Sequence, residues 1–215
     1  TTNGYLLEKY ASNLYESGLK RLTVSLDSLN NKIFQKMSGR KFNVNEVLNG
    51  IKRAQLEGFK NIKINTVVRK GVNENSILEL VDYCRSEGHI LRFIEYMDVG
   101  TLNSWDIKNV VSSNNILKKI SKEYKLIKIE KNYPSETSNR FSFVDGKGEI
   151  GFISSISDPF CGNCTRARIT ADGKLVTCLF SNTGMNLKSL LRSRKSNKFI
   201  TDEIINTWKL RDDKY

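Results

Sequence analysis

Proline and histidine are almost missing from this chain, with two and one respectively in 215 residues, and cysteine occurs four times. Four cysteines in so long a chain exclude a secreted disulfide scaffold, which packs many more into far fewer residues. No run of about 18 apolar residues exists, so a spanning helix is excluded. There is no initiating Met and no charged-then-apolar leader. No arginine-rich recognition helix or aromatic nucleic-acid platform stands out, and there is no long low-complexity linker. Hydrophobic residues make up 39% and charged residues 27%. That balance excludes collagen-like, mucin-like and wholly disordered chains. The chain opens at Thr1-Thr2-Asn3-Gly4 and stops at Tyr215 inside a charged segment, so a fragment of a longer chain is expected.

Positive charge is in excess. Thirty-five Lys and Arg against 23 Asp and Glu give +12, and the pI is about 9.5. Such a surface attracts phosphates, nucleic acid or acidic headgroups. Lys118, Lys119, Lys122, Lys125, Lys128 and Lys131 are scattered through one stretch, which reads first as solubility.

The first 100 residues alternate helix and strand. Leu7, Tyr10, Ala11 and Leu14 recur at helical spacing, as do Val44, Val47, Leu48 and Ile51, then Ile77, Leu80, Val81 and Cys84. Between them run the strand-like segments 21–27, 62–68 and 90–96. Strands separated by helices of this length imply right-handed crossovers and a parallel sheet, in a barrel or a doubly wound arrangement. After Gly100 come one helix around Ile116, short strands at 126–129, 141–144, 149–153, 166–170 and 175–180, and two closing helices. This reads as an α/β chain with a barrel-like part at 1–100 and a smaller, partly antiparallel subdomain at 101–215.

Buried parallel strands read nearly continuously apolar. Lys63 and Asn65 interrupt one strand and Arg92 and Glu95 another, so each charge needs a partner; Glu95 is the obvious one for Arg92. Ser25, Asp27 and Met97 lie at strand ends, where such sheets place ligands.

Cys161-x2-Cys164-x13-Cys178 supplies three thiols. A closed structural zinc site takes four ligands, and a fourth is missing nearby; His89 and Cys84 lie in the other half. Cys84, on an apolar helical stripe, reads as an inert buried thiol. Three thiolates on an iron–sulfur cluster leave one iron open, and the residues alone do not choose between iron and zinc. If 166–170 is a strand, Arg166 and Arg168 share a face, and two guanidinium forks side by side suit an anion such as phosphate.

Taken in order, the segments at 1–4, Ser25-Leu26-Asp27-Ser28, Lys63-Ile64-Asn65, Arg92-Phe93-Ile94-Glu95-Tyr96-Met97, 151–157, Pro159-Phe160-Cys161, Cys164-Thr165-Arg166-Ala167-Arg168 and Ala171-Asp172-Gly173 resemble the GTP 3′,8-cyclase family of molybdenum-cofactor biosynthesis, which are radical S-adenosylmethionine enzymes. The resemblance implies an incomplete (β/α) TIM-like barrel, truncated at its N-terminus, followed by the C-terminal subdomain. It implies a second [4Fe–4S] cluster on Cys161, Cys164 and Cys178. Arg166 and Arg168 would bind the triphosphate of GTP, with Thr1, Lys63 and Arg92 also on the GTP side, and S-adenosylmethionine would lie against Ser25 and Met97. The reaction implied is closure of GTP to (8S)-3′,8-cyclo-7,8-dihydroguanosine 5′-triphosphate, with no residue of this chain assigned as catalytic. The family's first cluster loop, Cys-x3-Cys-x2-Cys, and its double-glycine tail are absent from these residues, so the chain alone is expected to be inactive. A cytoplasmic setting, a cyclic pyranopterin monophosphate synthase as pathway partner, and no membrane or nucleic-acid partner follow from the same resemblance; a homodimer is compatible with it. The competing readings are a zinc-ribbon nucleic-acid module and another radical enzyme with an auxiliary cluster.

Overall fold

The computed structural model describes residues 1–99, 104–181 and 183–211. They fall into two compact units. The first comprises Thr1–Met97 and Trp105–Asp158; the second holds the described residues from Pro159 onward, with Asp98, Val99 and Ser104. The boundary expected at residues 100 and 101 lies outside the described residues.

The first unit is a helix-backed sheet. Its strands are β1 (Thr23–Ser25), β2 (Lys63–Val68), β3 (Ile90–Glu95), β4 (Leu126–Ile129), β5 (Asn139–Phe143) and β6 (Glu149–Ile153), in the order β1-β2-β3-β6-β5-β4. β1, β2, β3 and β6 run parallel, while β5 pairs antiparallel with β6 and β4 antiparallel with β5. β6 adds beside β3, so residues after 100 complete the sheet begun before them. The helices are α1 (Leu7–Glu16), α2 (Asn31–Ser38), α3 (Val44–Leu56), α4 (Ile77–Ser86) and α5 (Ser113–Ile120). α3 begins on a capping box, with the Asn43 side chain and Glu46 satisfying each other's backbone amides. α2 starts on Asn30, whose side chain accepts from the Lys32 and Ile33 amides, and stops at Gly39 with φ of 64°.

The interior strands alternate where continuous apolarity is expected. Ile64, Thr66 and Val68, then Leu91, Phe93 and Glu95, are buried, while the residues between them are half-buried. One face therefore packs on Ala11, Val47, Ile51, Leu80, Val81 and Ile116 from the helices. The other is free to carry polar groups, which is why Lys63 and Arg92 are tolerated in a parallel sheet.

The second unit holds a three-stranded antiparallel sheet of β7 (Arg168–Ile169), β8 (Lys174–Val176) and β9 (Met185–Asn186), with helices α6 (Leu187–Arg192) and α7 (Asn197–Lys209). Thr170, Asp172 and Gly173 form the turn between β7 and β8, where the Gly173 amide donates to the Thr170 carbonyl. Among the described residues no helix is long and apolar enough to cross a membrane.

Candidate functional site

Register places the polar residues of the open sheet face side by side. Thr23 stands opposite Lys63, and Ser25, Asn65, Arg92, Gly151 and Arg140 form one row across five strands. Arg92 does not pair with Glu95. Three residues apart on a strand, the two point to opposite faces. The Arg92 Nε–H instead donates to Asn65 Oδ1 at 2.9 Å, and Nη2 reaches Thr23 Oγ1 at 3.5 Å. Burial pushes the Lys63 ammonium below its ordinary value and the neighbouring Arg92 adds to this, against opposing pulls from Glu136 and Glu149. Burial likewise lowers Arg92, opposed by Glu136, Tyr133 and Glu149. Two cations crowded and partly desolvated on one face attract an anion. Arg140 is not part of that charge, since it forms a two-pronged pair with Glu149 at 2.8 and 2.7 Å.

Glu95 is fully buried and holds other things in place. Its carboxylate accepts from the Ser113 amide at 2.6 Å, the Ile156 and Ser157 amides at 2.9 and 2.8 Å, and the Ser157 hydroxyl at 2.6 Å. Burial pushes its pKa up, but these donors together hold it below the usual carboxylate range. Sequence reasoning misses this role, because the donors lie 18 to 62 residues away.

At the C-terminal end of β1 a cavity of about 230 Å³ is lined by Asn3, Ser25, Asp27, Phe34, Ser38, Arg40 and Phe42. Ser25 belongs to it, whereas Met97, half-buried just beyond β3, is not among its lining residues. The Asp27 carboxylate accepts from the Val67 amide at 2.8 Å, yet burial raises its pKa to about 6. Asn73, fully buried, stitches the loops after β1 and β2: it donates to the Asp27 and Val67 carbonyls and accepts from the Arg69 amide. Thr1 is exposed and precedes Thr2, which bridges to Val24 of β1.

In the second unit Cys161 opens a 3-10 turn that ends at Cys164, and Cys161, Cys164 and Cys178 are all uncrosslinked and partly buried. Burial raises the Cys164 thiol, but the Arg166 amide and guanidinium donate to its sulfur and hold it below the ordinary thiol range. The Phe180 amide donates to the Cys178 sulfur at 3.5 Å. The Arg166 donors favour the Cys164 thiolate, and a set of cysteine sulfurs suits a soft metal cluster. Among the described residues no group of three His, Cys, Asp or Glu is placed to hold a single metal ion. Arg166 lies outside β7 and stacks on Phe160, with its guanidinium carbon 4.7 Å from the ring centre, while Arg168 is in the strand. The expected continuous strand from 166 to 170 is thus shortened to two residues. Cys84 and His89 are buried in the first unit's core, both made harder to charge by burial.

The family model for Molybdenum Cofactor Synthesis C matches residues 89–215, more than half of the chain. The chain belongs to the molybdenum cofactor synthesis C family. A Radical SAM superfamily model matches residues 1–84, ahead of that family's segment. The chain is 45% identical over its whole length to a GTP 3′,8-cyclase of Xanthomonas axonopodis pv. citri (strain 306), covering 64% of that protein. It is 44% identical to one from Acidothermus cellulolyticus and 41% identical to one from Staphylococcus carnosus, again over all of this chain, covering 60% and 63% of theirs. This member of the molybdenum cofactor synthesis C family thus spans less than two thirds of those curated relatives. A radical SAM methyltransferase from Sphaerobacter thermophilus superposes with a TM-score of 0.45 at 17% identity, over 54% of this chain and 34% of that one.

Proposed function

We propose that these residues form the substrate side and the second cluster segment of a GTP 3′,8-cyclase, working in a chain of the relatives' length. The observation that carries this is the paired cations Lys63 and Arg92 on the open sheet face, in a chain 45% identical throughout to a protein of that name. Arg166 and Arg168 would bind the triphosphate, Arg92 and Lys63 would hold phosphate oxygens as well, and Thr1 would lie on the GTP side. Guanidiniums and an ammonium suit a polyanion far better than a neutral nucleoside. Ser25, in the cavity at the end of β1, and Met97 would border S-adenosylmethionine. Cys161, Cys164 and Cys178 would hold a [4Fe–4S] cluster, whose donor chemistry the Arg166 and Phe180 contacts suit. When bound, the family's clusters and S-adenosylmethionine supply the radical chemistry of ring closure; the protein orients the nucleotide and neutralises its charge. The sheet is then part of an incomplete (β/α) barrel. Its product would pass to a cyclic pyranopterin monophosphate synthase in the cytoplasm.

Competing readings fare worse. A zinc ribbon leaves the cations of the sheet face without a purpose, and an auxiliary cluster for peptide modification needs no triphosphate clamp. The test is anaerobic reconstitution of the full-length chain with Cys161, Cys164 and Cys178 each changed to Ser. Each variant should lose about four irons, as one [4Fe–4S] cluster requires, and fail to turn over GTP. Stoichiometric zinc, or unchanged iron and turnover, would overturn the proposal.

A further inference from the structure

An arginine can hold a polyanion only if its fork is aimed and its charge is not already spent. Arg92 meets both conditions. Its Nε–H is taken by Asn65 Oδ1 at 2.9 Å, and Nη2 makes only a long contact with Thr23 at 3.5 Å. Among the described residues it forms no ion pair. A neutral amide oxygen fixes the plane of the guanidinium without neutralising it, which a carboxylate would do. Asn65 stands opposite Arg92 in the parallel register, so the contact spans adjacent strands and needs no loop.

The next strand gives Arg92 its room. Gly151 is opposite Arg92 on β6, and a Cβ there would come within 3.3 Å of Arg92 Cγ and 2.2 Å of the Ser138 hydroxyl oxygen. Ser138 is buried, and among the described residues its hydroxyl has no hydrogen-bond partner. The backbone of Gly151 does not demand glycine, since its φ is not in the left-handed range. What requires glycine is the space taken by the stem of Arg92 and by Ser138.

We infer that Asn65 and Gly151 are positioning residues for Arg92, one aiming its guanidinium and the other seating its stem, so that the fork faces the triphosphate of the bound nucleotide. This rests on the proposed GTP reading and adds to it two residues that touch no substrate themselves.

The test is a double-mutant cycle read by anaerobic titration of the full-length holoprotein with GTP and with guanosine. Arg92→Ala should weaken GTP about ten- to a hundredfold, the loss of one charged hydrogen bond or two, and leave guanosine within about twofold. Asn65→Ala should weaken GTP by about three- to tenfold with guanosine again unmoved, and should cost nothing further when Arg92 is already Ala. With Ser138 also changed to Ala, which removes the 2.2 Å clash with its hydroxyl and leaves the 3.3 Å approach to Arg92 Cγ, Gly151→Ala should show the same dependence on Arg92. If Arg92→Ala leaves GTP affinity intact, the GTP reading of this face fails. If Arg92→Ala acts but Asn65→Ala and Gly151→Ala are silent, or weaken GTP equally with Arg92 absent, the positioning inference fails and the GTP reading stands. Equal loss of GTP and guanosine in the Asn65 variant would mark a merely structural role and would also overturn the inference.

Discussion

Changing Glu95 to Gln isolates the most heavily used polar group of the first unit. The carboxylate accepts four hydrogen bonds, three from backbone amides and one from a hydroxyl, at 2.6 to 2.9 Å, and it is fully buried. A glutamine keeps one oxygen to share among those donors and turns an amino group on the rest. Hydrogen bonds to a charged group contribute about 1.5–3 kcal/mol each and an orphaned buried donor costs about 1–3. Because the four share one group they do not add, and a loss of about 2–4 kcal/mol is expected at neutral pH. The sign with pH follows from the lowered pKa. The stabilisation is present above the ordinary value of 4.5 and disappears as pH falls through the folded value. The gap between native and variant should therefore be widest near pH 7 and narrow below about 4.5. Urea unfolding followed by tryptophan fluorescence in a Trp208→Phe background leaves Trp105, whose indole donates to the Tyr96 carbonyl just after β3, as the reporter of this unit. A variant with an unchanged midpoint, or a gap that widens in acid, would refute the reasoning.

Further outcomes are expected elsewhere. Asp27 has the opposite sign: its pKa is raised to about 6, so the charged form burdens the fold above that pH. Asp27→Asn should stabilise by about 1–2 kcal/mol at pH 7, discounted for the open cavity beside it, and by nothing below about pH 4; thermal melts across that range measure it. Asn30→Ala removes the cap of α2 and should cost about 1 kcal/mol in the same melts.

Much of the sheet is legible in the sequence because β-branched runs and glycine stops mark its strands and helices. The strand expected at 126–129 has those bounds in the structure, and the strands expected at 62–68 and 90–96 agree within a residue. Helix α2 escapes a reading of periodicity although Asn30 and Gly39 bracket Ile33, Phe34 and Met37, because its apolar stripe is short. The alternation of β2 and β3 departs from expectation for a physical reason: the rule for parallel strands assumes helices on both faces, and here one face carries Lys63, Asn65 and Arg92. The same oversight misassigns the partner of Arg92, since proximity in sequence suggests Glu95 while the pleat sends the two apart. Asn65 is visible as an interruption of an apolar strand, but only register shows that it meets Arg92. Cys161, Cys164 and Cys178 stand out from spacing alone, whereas the amide and guanidinium donors at their sulfurs come only from the fold.

The account stands on Lys63 and Arg92 as a seat for a nucleotide's phosphates. Titrating the full-length protein with GTP, GDP, GMP and guanosine measures this directly. Affinity should fall at each step as phosphates are removed, and Lys63→Met should flatten that series; equal affinity for all four ligands would contradict it.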